Sequence, residues 1–87
     1  MSPSIQYCFR PGVRLVNARE TLELAVIACQ ALHGEPAVLL STRWHFDTYT
    51  RRCTINGDDE VSHDLNLIFA GLIIREFGPE SFRTRRV

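Results

Sequence analysis

The sequence predicts an α+β fold: a two-layer sandwich in the order β-α-β-β-α, with a sheet of three or alternatively four strands and both helices on one face. Three observations predict this class. Residues 36–56 alternate as a β-hairpin does, and the long apolar segments on either side end at Gly34 and at Gly78. A chain of 87 residues makes one domain, 1–87, whose charged final segment, 79–87, is expected to be a frayed tail.

The first strand is predicted at residues 4–10. Ile5, Tyr7 and Phe9 occupy alternate positions there and therefore share one face. Pro11 and Gly12 break the strand, and residues 13–16 fit either a short additional strand or a loop that leads into the helix.

The first helix is predicted to begin at Asn17, whose side chain would form a capping box with Glu20. It is predicted to end at His33, because Gly34 is the residue type that most often terminates a helix. Only a narrow polar strip interrupts its apolar surface.

The central hairpin is predicted over residues 37–56, with a four-residue turn at 47–50. Placing Trp44 opposite Cys53 gives both strands the same inner side, which is the consistency that a true register needs. The side chains predicted to face the core are Trp44, Phe46, Cys53 and Ile55. The predicted binding residues, on the open side, are Arg43, His45 and Arg52, together with Arg10 from the first strand.

The second helix is predicted to begin within Asp58-Asp59-Glu60, since acidic side chains complement the positive end of a helix, and to end at Phe77 before Gly78. Its predicted inner stripe consists of Val61, Leu65, Ile68 and Leu72. The rest of its circumference carries Leu67, Phe69, Ile73 and Ile74. A helix that is apolar on all sides requires burial on all sides.

Two layers cannot bury such a helix together with the nearly all-apolar first helix. The sequence therefore predicts self-association, with a homodimer favoured over higher oligomers. The residues predicted at the contact are Leu67, Ile73 and Ile74 of the second helix and Ile27 of the first. The alternative is that the two helices and the tail bury one another within a single chain.

The composition limits the possible functions. The formal net charge is zero, which removes any global electrostatic case for nucleic acid or a membrane surface and favours association. All ten basic residues are arginine, so chemistry that needs a lysine is excluded. The three cysteines have no CxxC spacing, and the N-terminal residues lack the regions of a signal peptide. Both features favour a cytoplasmic protein with reduced thiols.

No catalytic, cofactor-binding or metal-binding motif occurs in the sequence, and no cofactor or metal is expected. The best candidates for acid-base chemistry are His45 and Asp47 on the hairpin. Nucleic-acid binding is disfavoured, because the strand aromatics are predicted on the helix-covered side and leave only Tyr49, in the turn, free to stack on a base.

The leading hypothesis is a small cytoplasmic, non-enzymatic interaction module that self-associates, such as a bacterial accessory protein that binds another protein or a ligand. The first alternative is arginine-mediated binding of nucleic acid or another anion. The second alternative is a small enzyme that uses His45 and Asp47.

Overall fold

The computed structural model describes residues 4–87 and shows an α+β chain with three helices and a four-stranded antiparallel sheet over this range. The elements are β1 (Ser4–Phe9), α1 (Leu15–His33), α2 (Glu35–Ser41), β2 (Arg43–Asp47), β3 (Arg52–Asn56), α3 (Glu60–Phe77) and β4 (Phe82–Arg86). The strands lie in the order β2-β3-β1-β4. This is a split β-α-β arrangement with α2 added before β2. The predicted α+β class is confirmed, and the first three residues of the predicted domain lie outside the described range.

One side of the sheet shares a hydrophobic core with the helices. Tyr7 and Phe9 of β1 and Cys53 and Ile55 of β3 are buried in this core, as the alternation predicts. The Tyr7 ring packs edge-on against the Phe69 ring of α3, with centroids 4.9 Å apart. Such aromatic pairs add to the free energy of burial itself, so this contact anchors α3 on the central strand.

The hairpin has the predicted inner side but a different register. Trp44 lies opposite Ile55 and Phe46 opposite Cys53, two residues away from the predicted pairing. A shift of two residues preserves which side each residue faces, because side chains alternate with a period of two. The loop is residues 48–51, and it closes through Arg51, which adopts a left-handed backbone with φ of 58°.

The first half of the predicted hairpin is helical instead. Residues 37–41 belong to α2, which begins at Glu35 and carries Pro36 in its first turn. Proline suits that position because its fixed φ is helical and its missing amide proton has no acceptor there. Val38 is the one fully buried residue of this helix, while Leu39 and Leu40 are exposed.

The predicted capping box of α1 is wrong. The helix begins at Leu15, so Asn17 lies inside the first turn, and Arg14 at the N-cap makes no side-chain hydrogen bond. Residues 13–16, whose sequence fits either a short strand or a loop, form a loop and the first residues of α1. The predicted end of α1 is confirmed, since Gly34 terminates it with φ of 88°.

The start of α3 is as predicted, but its inner side is not. The Asp59 side chain accepts a hydrogen bond from the Ser62 amide and caps the helix. The buried residues are Ser62, Leu65, Phe69 and Ile73. The predicted stripe of Val61, Ile68 and Leu72 is only half-buried. The helix is therefore rotated about its axis from the predicted orientation, so that Phe69 reaches the aromatic side chains of β1.

The final residues are a strand rather than a frayed tail. β4 pairs along the whole of β1, with Phe9 opposite Phe82, and the Val87 amide donates to the Ser4 carbonyl. This pairing satisfies backbone groups of β1 that would otherwise lie on a bare edge beside the core.

Over residues 4–87, no single helix has the length and hydropathy to cross a bilayer. Helices α1 and α2 meet the two criteria only when taken together, and they are bent by 115° at their junction.

Candidate functional site

The candidate site is the side of the sheet opposite the hydrophobic core, here called the arginine face. Alternate residues of all four strands form it, because successive strand side chains point to opposite sides. Its members are Gln6 and Cys8 of β1, Arg43, His45 and Asp47 of β2, Arg52 and Thr54 of β3, and Arg83 and Arg85 of β4. Three of the predicted binding residues, Arg43, His45 and Arg52, therefore lie on one face.

Arg83 and Arg85 of β4 fall in the predicted frayed tail, 79–87, so they are not among the predicted binding residues of the sheet. Arg83 lies opposite Cys8, and Arg85 lies opposite Gln6 and donates from Nε to the Gln6 Oε1 at 2.7 Å. The signal was present, because Phe82 and Thr84 alternate with these arginines in a strand-like pattern.

The arginine face is strongly positive although the chain is neutral. Its four arginines stand against one acidic residue, Asp47, which gives the face a formal net charge of +3. Since the whole chain has a net charge of zero, the remainder carries −3. The charges are therefore segregated, and the positive potential of the face is not visible in the overall composition.

Within residues 4–87, no carboxylate neutralises these arginines at contact distance. In the part of the chain that the structure describes, the one contact within 4.0 Å between a basic and an acidic side chain joins the His33 Nε2 to the Asp64 Oδ2 at 2.7 Å, between α1 and α3. Asp47 lies opposite Arg52 in the register, but its Oδ1 accepts from the amides of Tyr49 and Thr50. These hydrogen bonds, that of Thr50 above all, hold the pKa of Asp47 below its usual value. The Asp47 carboxylate thus orders the turn.

The face is broad. Four strands at a spacing of about 4.8 Å give it a width of roughly 15 Å between the backbones of β2 and β4. Arg52 and Arg83 flank Cys8 on the two neighbouring strands, so their Cα atoms are about 10 Å apart. Groups spread in this way suit an extended ligand with several negative charges better than a single small anion.

One aromatic side chain stands at the end of this face. Tyr49, at the tip of the hairpin, is 98% exposed, and its amide is held by Asp47. An aromatic ring that is fully hydrated in the free protein gains from stacking on a planar partner.

Two other arginines, Arg10 and Arg51, have structural roles. The Arg10 Nε donates to the Glu80 carbonyl at 2.5 Å, beyond the end of β1. Arg51 donates to the carbonyls of Arg10 and Val13, at 2.6 and 2.5 Å, and so ties the hairpin loop to the segment before α1. Arg10 is thus not brought together with Arg43, His45 and Arg52.

The residues considered for acid-base chemistry do not form a pocket of their own. His45 and Asp47 lie on the same side of β2, and Asp47 is engaged in the turn. His45 borders a depression of about 340 Å³ beside Arg19 and Glu23 of α1. No group of three or more His, Cys, Asp or Glu residues within residues 4–87 is arranged to hold a metal ion.

A second concave region lies between β4 and the N-terminal half of α3. This cleft of about 440 Å³ includes the side chains of His63, Asn66 and Arg86. The Tyr7 hydroxyl at its floor donates to the Asn66 Oδ1 at 2.5 Å, and burial raises the pKa of Tyr7. Its polar groups are thus partly used in joining β1 to α3.

The cysteines are free thiols in two environments. Cys29 and Cys53 are buried, and burial raises the pKa of the Cys53 thiol to about 12. Cys8 is only half-buried because it lies on the arginine face and not in the core.

The predicted contact residues divide between the surface and the core. Ile27, Leu67 and Ile74 are 60%, 59% and 44% exposed, which is unusual for large apolar side chains. Ile73 is fully buried, so its assignment to an interface is wrong. It faces inward because it follows Phe69 by one helical turn.

The chain matches no protein-family model, no curated protein and no solved structure, so the arrangement of these side chains is the basis for any statement about function.

Proposed function

We propose that this protein is a small, non-enzymatic interaction module whose arginine face binds an extended anionic strand, and that single-stranded nucleic acid is the partner that suits this face best. The proposal takes the molecule as the two-layer sandwich that the sequence predicts, with the helices on one side of the sheet and the arginines on the other. The three free thiols support the predicted cytoplasmic location.

One observation carries the proposal. Arg43, Arg52, Arg83 and Arg85 come from three different strands, share one face and have no carboxylate within ion-pairing distance in the described chain. Guanidinium groups bind phosphate in a bidentate manner, which a lysine cannot do. Four such groups spread over three strands can contact successive phosphates of an extended backbone.

The exposed Tyr49 favours a single strand over a duplex. A base can stack on this ring only if it is not already paired and stacked within a helix. Because the other strand aromatics are in the core, the face would contact mainly the backbone, so binding is expected to be insensitive to sequence and strongly dependent on salt.

An acidic protein segment is the second candidate partner. The observation that favours it is the lack of aromatic side chains on the arginine face itself, since carboxylates need no stacking platform. Arginine binds carboxylates with the same fork geometry as phosphates.

The test is fluorescence anisotropy with a labelled oligothymidylate of about twelve nucleotides. The triple variant R52Q/R83Q/R85Q is expected to bind roughly tenfold more weakly or worse, because each lost phosphate contact also removes counterion release. The slope of log affinity against log salt should decrease by about 0.7 for each contact removed. Tyr49→Ala should weaken binding further, whereas Tyr49→Phe should retain it.

Arg86→Gln is the matched control. It removes the same charge from the same strand, but Arg86 lies opposite Ile5 on the core side of the sheet. The proposal fails if Arg86→Gln weakens binding as much as Arg85→Gln, or if the wild-type protein does not bind at low salt. Equal binding of polyglutamate and oligothymidylate would replace nucleic acid by an acidic protein segment as the partner.

A further inference from the structure

The outer sides of α1 and α3 carry a regular set of exposed apolar residues, here called the helix surface. On both helices these residues are spaced three or four positions apart, or seven in all, and therefore lie on one face of the helix. The members are Leu24, Ile27, Ala28 and Ala31 of α1 and Leu67, Gly71 and Ile74 of α3. Leu24 and Ile27 are 59% and 60% exposed, so a single chain leaves this surface in water.

Gly71 has no explanation within a single chain. Within residues 4–87, and apart from the adjacent residues and the backbone of the helix itself, a Cβ atom at this position would meet no atom within 4 Å, and the residue lies inside a regular helix. Glycine there costs about 1 kcal/mol relative to alanine. Gly57 is the contrasting case, because its φ is 141° and an added Cβ would collide with Ser62 and would lie 2.9 Å from the Ser41 carbonyl oxygen. The absence of a side chain at Gly71 is useful only if something approaches α3 from outside.

The exposed apolar residues of α1 and those of α3 are centred at the same level along the two helix axes. The Thr21 Oγ1 donates to the Glu76 Oε2 at 2.7 Å, and His33 contacts Asp64. Moving twelve residues forward along α1 therefore moves twelve residues back along α3, so the helices run antiparallel and in register. By this alignment, the midpoint of the α1 residues 24–31 lies level with residues 69–70 of α3, within about one residue of the midpoint of Leu67 and Ile74.

We infer that the helix surface binds a second copy of this chain across a two-fold axis that passes through this common centre. Each helix then packs antiparallel on the same helix of the second copy, α1 on α1 and α3 on α3. Leu24 faces Ala31 of the second copy and Ile27 faces its Ala28, so that large side chains meet small ones. On α3, Leu67 meets Ile74 of the second copy, and Gly71 lies next to the axis where the two helices approach most closely.

The charges on α3 fit the same axis. Asp64 and Arg75 lie on the side of α3 that borders α1, and their midpoint is also between residues 69 and 70. The two-fold operation therefore brings Asp64 of each copy to the level of Arg75 of the other. A surface that is self-complementary in size and in charge is what an isologous dimer requires.

The size of the surface is sufficient for a stable dimer. Helices of 19 and 18 residues laid side by side cover about 28 by 20 Å. The product is about 560 Å² per partner, or about 1,100 Å² in total, which exceeds the roughly 1,000 Å² expected of a specific interface.

The test is sedimentation equilibrium on the full chain at micromolar concentrations. The wild-type protein is expected to be a dimer. Arg75→Asp should weaken the dimer about tenfold or more, because it places two acidic groups at the same point, and the double variant D64R/R75D should restore it. Arg19→Asp, a charge reversal on α1 away from the helix surface, should leave the dimer unchanged.

Gly71→Leu provides a second line of evidence that does not depend on charge. The new side chain has open space in the single chain, so the variant should fold at least as stably as the wild type by circular dichroism. It should nevertheless dissociate, whereas Gly12→Leu, a loop position with equally open space, should not. In a C8S background, Gly71→Cys should form a disulfide-linked dimer and Arg19→Cys should not.

Two outcomes would contradict the proposed two-fold dimer. A wild-type monomer at high micromolar concentration overturns the inference. So does a dimer that is unaffected by both Arg75→Asp and Gly71→Leu, because such a dimer would use another surface.

Discussion

The two sides of α3 are similar in composition but differ in what covers them. Phe69 and Ile73 are fully buried, whereas Leu67 and Ile74 are 59% and 44% exposed. The difference arises from the sheet, because the Tyr7 ring gives the inner side an aromatic partner 4.9 Å from the Phe69 ring. Hydrophobicity therefore shows that a helix has an apolar side, but the surface opposite determines which side the fold buries.

The largest expected effect is on the inner side. Phe69→Ala should lower the free energy of unfolding by about 3–5 kcal/mol, because it removes a buried ring and leaves a cavity beside Tyr7 and Phe9. Urea denaturation at fixed protein concentration measures this change. Phe69→Leu, which keeps most of the volume, should cost much less. If Phe69→Ala lowers the free energy of unfolding by less than about 1 kcal/mol, the packing of this ring does not hold α3 on the sheet.

An intermediate effect is expected at the start of α3, which orients both sides. Asp59→Ala should lower the free energy of unfolding by about 1 kcal/mol at neutral pH, because the Ser62 amide loses its acceptor. That hydrogen bond, the largest cause, holds the pKa of Asp59 below its usual value.

The pH dependence of this effect has a definite sign. A lowered pKa in the folded state means that the stabilisation is present above the pKa of the unfolded carboxyl, about 3.9, and is lost as the pH falls through the lower folded value. The difference between the wild type and Asp59→Ala should therefore shrink below about pH 4. Asp58→Ala is the control, since no hydrogen bond joins its side chain to the described helix start. A pH-independent difference would contradict the assigned cause.

The smallest effect is expected on the outer side. Leu67→Ser should change the free energy of unfolding by less than about 0.5 kcal/mol at concentrations where the protein is monomeric, because the side chain is already largely in water. The same substitution should become destabilising as the concentration rises and the helix surface becomes covered. A large loss in the dilute protein would show that Leu67 packs within its own chain.

The inner side of the sheet could be predicted from sequence because alternation is a local property. Tyr7, Cys53 and Ile55 face the core as expected, even though the hairpin pairing is shifted by two residues. The orientation of α3 could not be predicted in the same way. Apolar residues surround the helix, and the choice of Phe69 over Leu67 depends on aromatic side chains more than fifty residues away in the chain.

Two segments were misassigned because their local patterns are weak. Residues 37–40 are a short apolar run, which fits a strand or a helix equally, and Pro36 after Glu35 was the available signal for a helix start. β4 has a single apolar residue on its inner side, Phe82, among four arginine or threonine residues. Its pairing with β1 comes from the unsatisfied backbone of that strand and not from its own side chains, and so the arginine face was predicted only in part.

The position of β1 in the sheet has a consequence for how the chain folds. It is the first strand of residues 4–87, but it lies between β3 and β4 and bonds to residues 52–56 and 82–86. During synthesis this strand must remain unpaired on one edge until residues 82–86 have emerged from the ribosome. Contacts of such long sequence separation form slowly, and an unpaired edge is prone to aggregate. We therefore expect the sheet to close late, with β4 as the last strand to dock.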